Sequence, residues 1–243
     1  MTGKSSNDAD RLRVASQYRD IEDRISEACA RAGRKREEVT LIGVTKTVEP
    51  SLINAALDAG LRHIGENRVQ EYLSKKDALH LDGVQTHLIG HLQTNKVKSI
   101  VGKVDMIQSV DSLRLATQIE KASAALELVT PILVEVNIGG EESKSGVAAE
   151  ETERLLTELS RFTHLSVQGL MTIPPISDSD AKKRHYFSKM RELFIDIRSK
   201  NIDNVSMHIL SMGMSDDFEA AVSEGSTMVR VGTAIFGKRC YPV

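Results

Sequence analysis

Between residues 40 and 231 the chain alternates short apolar runs with helix-patterned stretches, and this rhythm restricts its fold more than anything else in it. The runs cover residues 40–46, 61–65, 85–90, 105–110, 132–138, 165–173, 205–211 and 227–231. Each is short enough for a strand and is closed off by turn-forming or capping residues. Helical patterns fill the gaps at 51–59, 68–79, from about 94–96, to Ala125 after an Asp111-Ser112 cap, and at 147–161, 181–200 and 217–223. Eight strand–helix units with short connections predict an α/β protein built as a single (β/α)8 TIM barrel. The competing open doubly wound sheet would typically need fewer strands at this length. It would also announce itself by Gly-x-Gly-x-x-Gly after its first strand, which this chain lacks.

Ahead of the barrel, residues 8–32 space Leu12, Ala15, Ile21, Ile25 and Ala28 among charges and stop near Gly33, so an extra N-terminal helix is expected. Residues 1–7 are polar and are read as a disordered start; residues 8–243 show no linker or composition break and are read as one domain. A net charge of −2 gives no basic field to hold a nucleic acid. No run approaches the roughly 18 apolar residues of a membrane span, and no signal-peptide core follows Met1, so a soluble, cytoplasmic protein is expected. Cys29 and Cys240 fit neither a metal spacing nor a disulfide framework and read as thiols in a reducing compartment.

In such barrels chemistry sits at the carboxyl ends of the strands, with phosphate often held after the seventh and eighth. Ser211-Met212-Gly213-Met214-Ser215-Asp216-Asp217 follows the seventh run, and the stretch from Arg230 to Gly237 surrounds the end of the eighth. Glycines admit a ligand close to the backbone, and hydroxyls and free N–H groups bind anions. The plainer reading makes these turn residues, with Ser215 capping its helix. Two such loops in this order favour a phosphate cradle. Ile42, Val44 and Lys46 alternate onto one face of the first strand, which neighbours the eighth in a closed barrel. Lys46 then opens onto the same cavity, although a strand-end lysine taken by itself reads more plainly as salt-bridged or snorkelling to solvent. Free lysine titrates near about 10.4, so forming a Schiff base needs desolvation or a neighbouring cation, which Arg230 would supply. Carbonyl plus phosphate describes either pyridoxal 5′-phosphate (PLP) or a sugar phosphate in an aldolase.

The motifs narrow this. Gly43-Val44-Thr45-Lys46, His63-Ile64-Gly65-Glu66-Asn67-Arg68-Val69-Gln70-Glu71 and His87-Leu88-Ile89-Gly90-His91-Leu92-Gln93-Thr94-Asn95-Lys96 open a familiar series. Val136-Asn137-Ile138, Lys144-Ser145-Gly146, Gly169-Leu170-Met171-Thr172-Ile173 and the two phosphate-type loops complete it in order. The chain resembles the YggS/PROSC family of PLP homeostasis proteins, departing at His91, where many relatives are expected to carry proline. The resemblance implies the barrel of the alanine-racemase N-terminal domain, with Lys46 carrying PLP as an internal aldimine. It implies phosphate contacts from Ser211, Ser215, Gly232 and Thr233, Arg230 facing the pyridine nitrogen, and Asn67 and Met171 lining the cofactor.

A full binding site with no second-domain base, together with that resemblance, reads as a carrier or buffer of PLP that maintains vitamin B6 and amino-acid homeostasis and passes the cofactor to apo-enzymes; a monomer is expected. No residue is assigned a catalytic role. A cationic Arg230 opposite the ring nitrogen weakens the electron sink. Racemases of similar fold add a second domain carrying a base, for which the chain past Arg230 leaves no room; a stand-alone racemase is the alternative. No metal is expected. His87 and His91 fall on a strand and its end and read as hydrogen-bonded core and loop histidines. Glu135 and Asn137 share a face inside an apolar run and read as structural, while Asn67 is also a possible helix cap. Lys182, Lys183 and Arg184 read as a solvated helix face, and Ser211 with His208 is no hydrolase pair.

Overall fold

The computed structural model describes residues 2–141, 144–175, 177 and 179–237; Cys240 lies outside them. Eight parallel strands close into a barrel: β1 (Thr40–Val44), β2 (His63–Glu66), β3 (Gln85–Leu88), β4 (Met106–Val110), β5 (Thr130–Asn137), β7 (Leu165–Met171), β8 (Val205–Ser211) and β9 (Met228–Val231). β4 pairs with β5 and β1 with β9, so no edge is left open. A two-residue strand, β6 (Val147–Ala148), adds to the upper part of β5, where the sequence pattern predicts the start of a helix. The helices around the barrel are α2 (Pro50–Asp58), α3 (Val69–Lys75), α4 (Val97–Ile100), α5 (Leu113–Ala124), α6 (Thr152–Leu159), α7 (Asp180–Ser199), α8 (Phe218–Ser223) and α9 (Thr233–Phe236). Ser112 caps α5 as its position predicts, accepting a hydrogen bond from the Leu115 N–H at 3.4 Å.

The extra helix, α1, runs Thr2–Arg31 and therefore starts ahead of the expected Asp8. Extending an existing helix is far easier than starting one, so a polar leader can join it. Its buried face is Val14, Tyr18, Ile21, Ile25 and Ala28, packed on α2, α8 and α9. Leu12, expected on that face, is exposed instead. Nine residues separate it from Ile21, and at about 100° per residue that is half a turn out of phase.

The apolar core lies mainly between barrel and helices, where outward-facing Ile64, Ile107, Val134, Leu170, Leu210 and Val229 are fully or almost fully buried. Inside the barrel, Met106, Leu133 and Met171 pack together with Ile209. Polar residues share that interior, with His87, Gln108, Ser211 and Arg230 all buried. None of the described helices is long and apolar enough to cross a membrane.

Candidate functional site

β1 ends at Val44, and Lys46 sits just past it in a tight turn. Parallel pairing of β1 with β9, with Ile42 opposite Arg230, brings both carboxyl ends to one mouth. There Val44, Lys46, Met214, Ser215, Asp216, Arg230, Gly232 and Thr233 line a cavity of about 190 Å³. Ser215 does not cap its own helix. Its Oγ accepts from the N–H groups of Gly232 (3.2 Å) and Ala234 (3.4 Å), which ties the two loops together. Asp217 shapes the first loop by accepting from the Met214 N–H at 2.6 Å. Gly213 sits at φ +94°, and a Cβ there would lie 2.5 Å from the Ala221 Cβ, so the loop needs glycine at that point. A larger cleft over α8, about 360 Å³, is lined by charges that pair with one another, including Glu219 with Arg24 at 2.8 Å and with Arg31 at 3.4 Å.

Arg230 is the buried cation of the site. Its guanidinium donates to Ser211 Oγ at 2.6 Å and to the Thr172 carbonyl at 2.9 Å. Burial lowers its pKa from 12.5 to about 10, against the pull of Glu135 and Asp217, so it stays charged at neutral pH. A polar chain continues beneath it: Ser211 donates to Gln108 Oε1 at 2.8 Å, and the Gln108 amide meets His87 Nδ1 at 3.2 Å. His87 Nε2 in turn faces His63 Nδ1 at 3.2 Å. Burial, reinforced by His63, drives the His87 pKa down to about 3, so the ring is neutral and the chain has one consistent donor direction.

Glu135 also faces inward, 6 % exposed, and burial with the nearby Asp111 charge raises its pKa from 4.5 to about 7, although Arg230 opposes this. The folded state therefore holds a proton that the unfolded chain has already released. The stabilisation from this group is greatest below pH 4.5 and declines as pH rises to about 7. Glu135→Gln removes that decline. Urea titrations of both proteins should show the variant ahead by on the order of 2–3 kcal/mol at pH 8 and level near pH 4.5. Taking the difference cancels His87, which loses stability in the opposite direction.

Five residues singled out from the sequence thus share the cavity: Lys46, Ser215, Arg230, Gly232 and Thr233. Ser211, expected among the phosphate contacts, is fully buried below Arg230 and has its hydroxyl engaged with Arg230 and Gln108. Met171 is buried in the barrel interior rather than in the cavity lining. Asn67 does not cap α3, whose N-cap is Arg68; its Oδ1 is buried without a hydrogen-bond partner. Asn137 has the structural role, its amide donating to the Glu141 carbonyl at 2.8 Å and its Oδ1 accepting from the Glu141 N–H at 3.3 Å. His87 is buried, whereas His91 is exposed 3.8 Å from Asp111, so the two rings serve different places. His208, exposed, pairs with Ser206 and not with Ser211. Gln108, which holds Ser211, and the Thr172 carbonyl, which holds Arg230, carry no local signal in the sequence, since these partners lie far apart in the chain.

Known proteins share this architecture. Residues 18–240 match the family described as alanine racemase, N-terminal domain. A pyridoxal phosphate homeostasis protein of Aquifex aeolicus is 46 % identical over 219 residues, covering 90 % of this chain and 95 % of that one. Its namesake in Escherichia coli K12 is 38 % identical, covering 94 % and 97 %. PipY of Synechococcus elongatus, solved with PLP bound, superposes at TM-score 0.77 with 32 % identity, covering 88 % of this chain and all (100 %) of that one. An alanine racemase of Clostridium difficile shares the fold alone, at TM-score 0.72 and 17 % identity, with this chain spanning 58 % of it. The chain belongs to the alanine racemase N-terminal domain family, and within it to the pyridoxal phosphate homeostasis proteins.

Proposed function

We propose that this protein binds pyridoxal 5′-phosphate and acts as its carrier and buffer, a monomeric one-domain barrel of the cytoplasm that gives the cofactor up to apo-enzymes. One observation carries the reading: a lysine amine, a buried guanidinium and two cross-linked glycine loops line a single cavity. The residues fit the group. The hydroxyls of Ser215 and Thr233 are suited to the phosphate, the first held in place by the Gly232 and Ala234 N–H groups, and Lys46 Nζ is suited to the carbonyl carbon. Asn67 Oδ1, buried and unpartnered, leaves a polar atom for the ligand or an ordered water to satisfy.

When bound, the cofactor supplies an aldehyde for an amine and a ring that withdraws electrons. Arg230 sets the limit on that chemistry. Held by Ser211 and Thr172, its guanidinium is fixed in the cavity wall, and its charge would disfavour a proton on a ring nitrogen bound beside it. The arrangement suits holding the cofactor better than turning over an amino acid.

Borohydride reduction of the PLP-loaded protein, followed by peptide mapping, tests the assignment. A yellow protein labelled at Lys46, with label and colour both lost in Lys46→Ala, is the expected result. A principal label on another lysine would overturn it. Failure to take up PLP, with trapping of a sugar phosphate instead, would favour an aldolase.

A further inference from the structure

The turn that carries Lys46 is held from outside the barrel by a buried charge cluster with no part in the cavity lining. Lys75, at the last turn of α3, is 7 % exposed and donates to the Thr45 carbonyl at 2.7 Å. The same ammonium pairs with Glu66 and with Glu71, the latter at 3.1 Å. Glu66, at the end of β2 and 1 % exposed, accepts from the Thr45 hydroxyl at 2.5 Å. Glu71 accepts from the Thr47 N–H. The residue before Lys46 and the residue after it are thus both gripped by side chains of α3.

The backbone explains why a grip is needed. Thr47 has φ +58°, a left-handed conformation that a β-branched residue seldom adopts. Such a residue persists only where its surroundings over-determine it, and strain of this kind gathers at functional positions. Buried charges are also poor contributors to stability compared with apolar groups of like volume, so the buried Lys75–Glu66 pair at this place calls for a positional reason.

We infer that Lys75 and Glu71, braced by Glu66, are positioning residues for Lys46: they fix the turn so that its amine presents to the cavity. The inference rests on the reading that Lys46 takes PLP. Displacing a reacting group by about 1 Å can cost on the order of a hundred-fold in reactivity, which is the scale on which such bracing acts.

Glu71→Ala, Glu71→Gln and Lys75→Met separate the possibilities, with PLP affinity from visible absorbance, the fraction trapped on Lys46 by borohydride, and the thermal midpoint without PLP. Glu71 is partly exposed, so its variants keep the fold even if Lys75→Met does not. Glu71→Ala is expected to weaken PLP binding about ten-fold, the weight of one hydrogen bond to a charged group. Its trapped fraction should fall in step, while Glu71→Gln, which still offers an oxygen to the Thr47 N–H, stays within about two-fold of wild type. Wild-type affinity and trapping in Glu71→Ala would overturn the positioning role, as would a lowered midpoint with PLP binding unchanged. An unlabelled Lys46 in the wild-type protein would overturn the cofactor reading itself, a different failure.

Discussion

Arg230→Met is expected to lower the stability of the PLP-free protein by about 3 kcal/mol, or roughly 10 °C in thermal midpoint for a chain of this length. The guanidinium is buried at the strand end and makes two hydrogen bonds, to Ser211 Oγ and to the Thr172 carbonyl. Methionine approximates its length but donates nothing, so both acceptors lose their partner where water has poor access. Glu135 and Asp217 lose a favourable charge at the same time. Arg230→Lys should recover part of the loss, because an ammonium restores the charge but not the planar two-pronged geometry. PLP uptake should fall in Arg230→Met as well. A midpoint within 2–3 °C of wild type, on the order of 1 kcal/mol, would show that the guanidinium is not a structural tie.

Gly169→Ala should prevent the barrel from forming. Gly169 lies on β7 opposite Ile209 of β8, next to a break in register between Val167 and Gly169. It has φ +148°, and a Cβ there would sit 1.8 Å from the Ile209 carbonyl oxygen and 2.7 Å from its carbon. Those are backbone atoms of a neighbouring strand and cannot rotate aside. Relief requires parting β7 from β8, at a cost above about 5 kcal/mol, comparable to the whole stability of an ordinary domain. Gly83→Ala is the matched control: φ is +68° but no atom lies within 4 Å, so only the left-handed penalty of about 1–2 kcal/mol applies. Soluble yield and far-ultraviolet circular dichroism distinguish the two, and a folded Gly169→Ala protein would mean the strands can separate there without loss.

The architecture was legible from the linear pattern because alternation of apolar runs with helical stretches is local and repeats. One barrel strand after another falls within a few residues of its expected place, and β8 runs over the expected 205–211. The errors arose where the pattern is faint. Leu12 looks like a core residue until its phase against Ile21 is counted, and β6 is too short to leave a periodic signal. In the site, Lys46 and the loops after β8 and β9 were readable because strand order alone puts them at one end of the barrel.

What the amino-acid order determined by itself was therefore the class of fold, the end of the barrel at which the cavity opens, and the lysine and loops that line it. Only the tertiary structure decided which polar groups hold which. Ser211 supports Arg230 and Gln108 rather than lining the cavity, Ser215 spans two loops rather than capping one helix, and Lys75 grips the carbonyl of Thr45. The reason is physical: backbone patterns depend on near neighbours in the chain, whereas a buried donor takes whichever acceptor the closed barrel brings within reach, however distant in sequence.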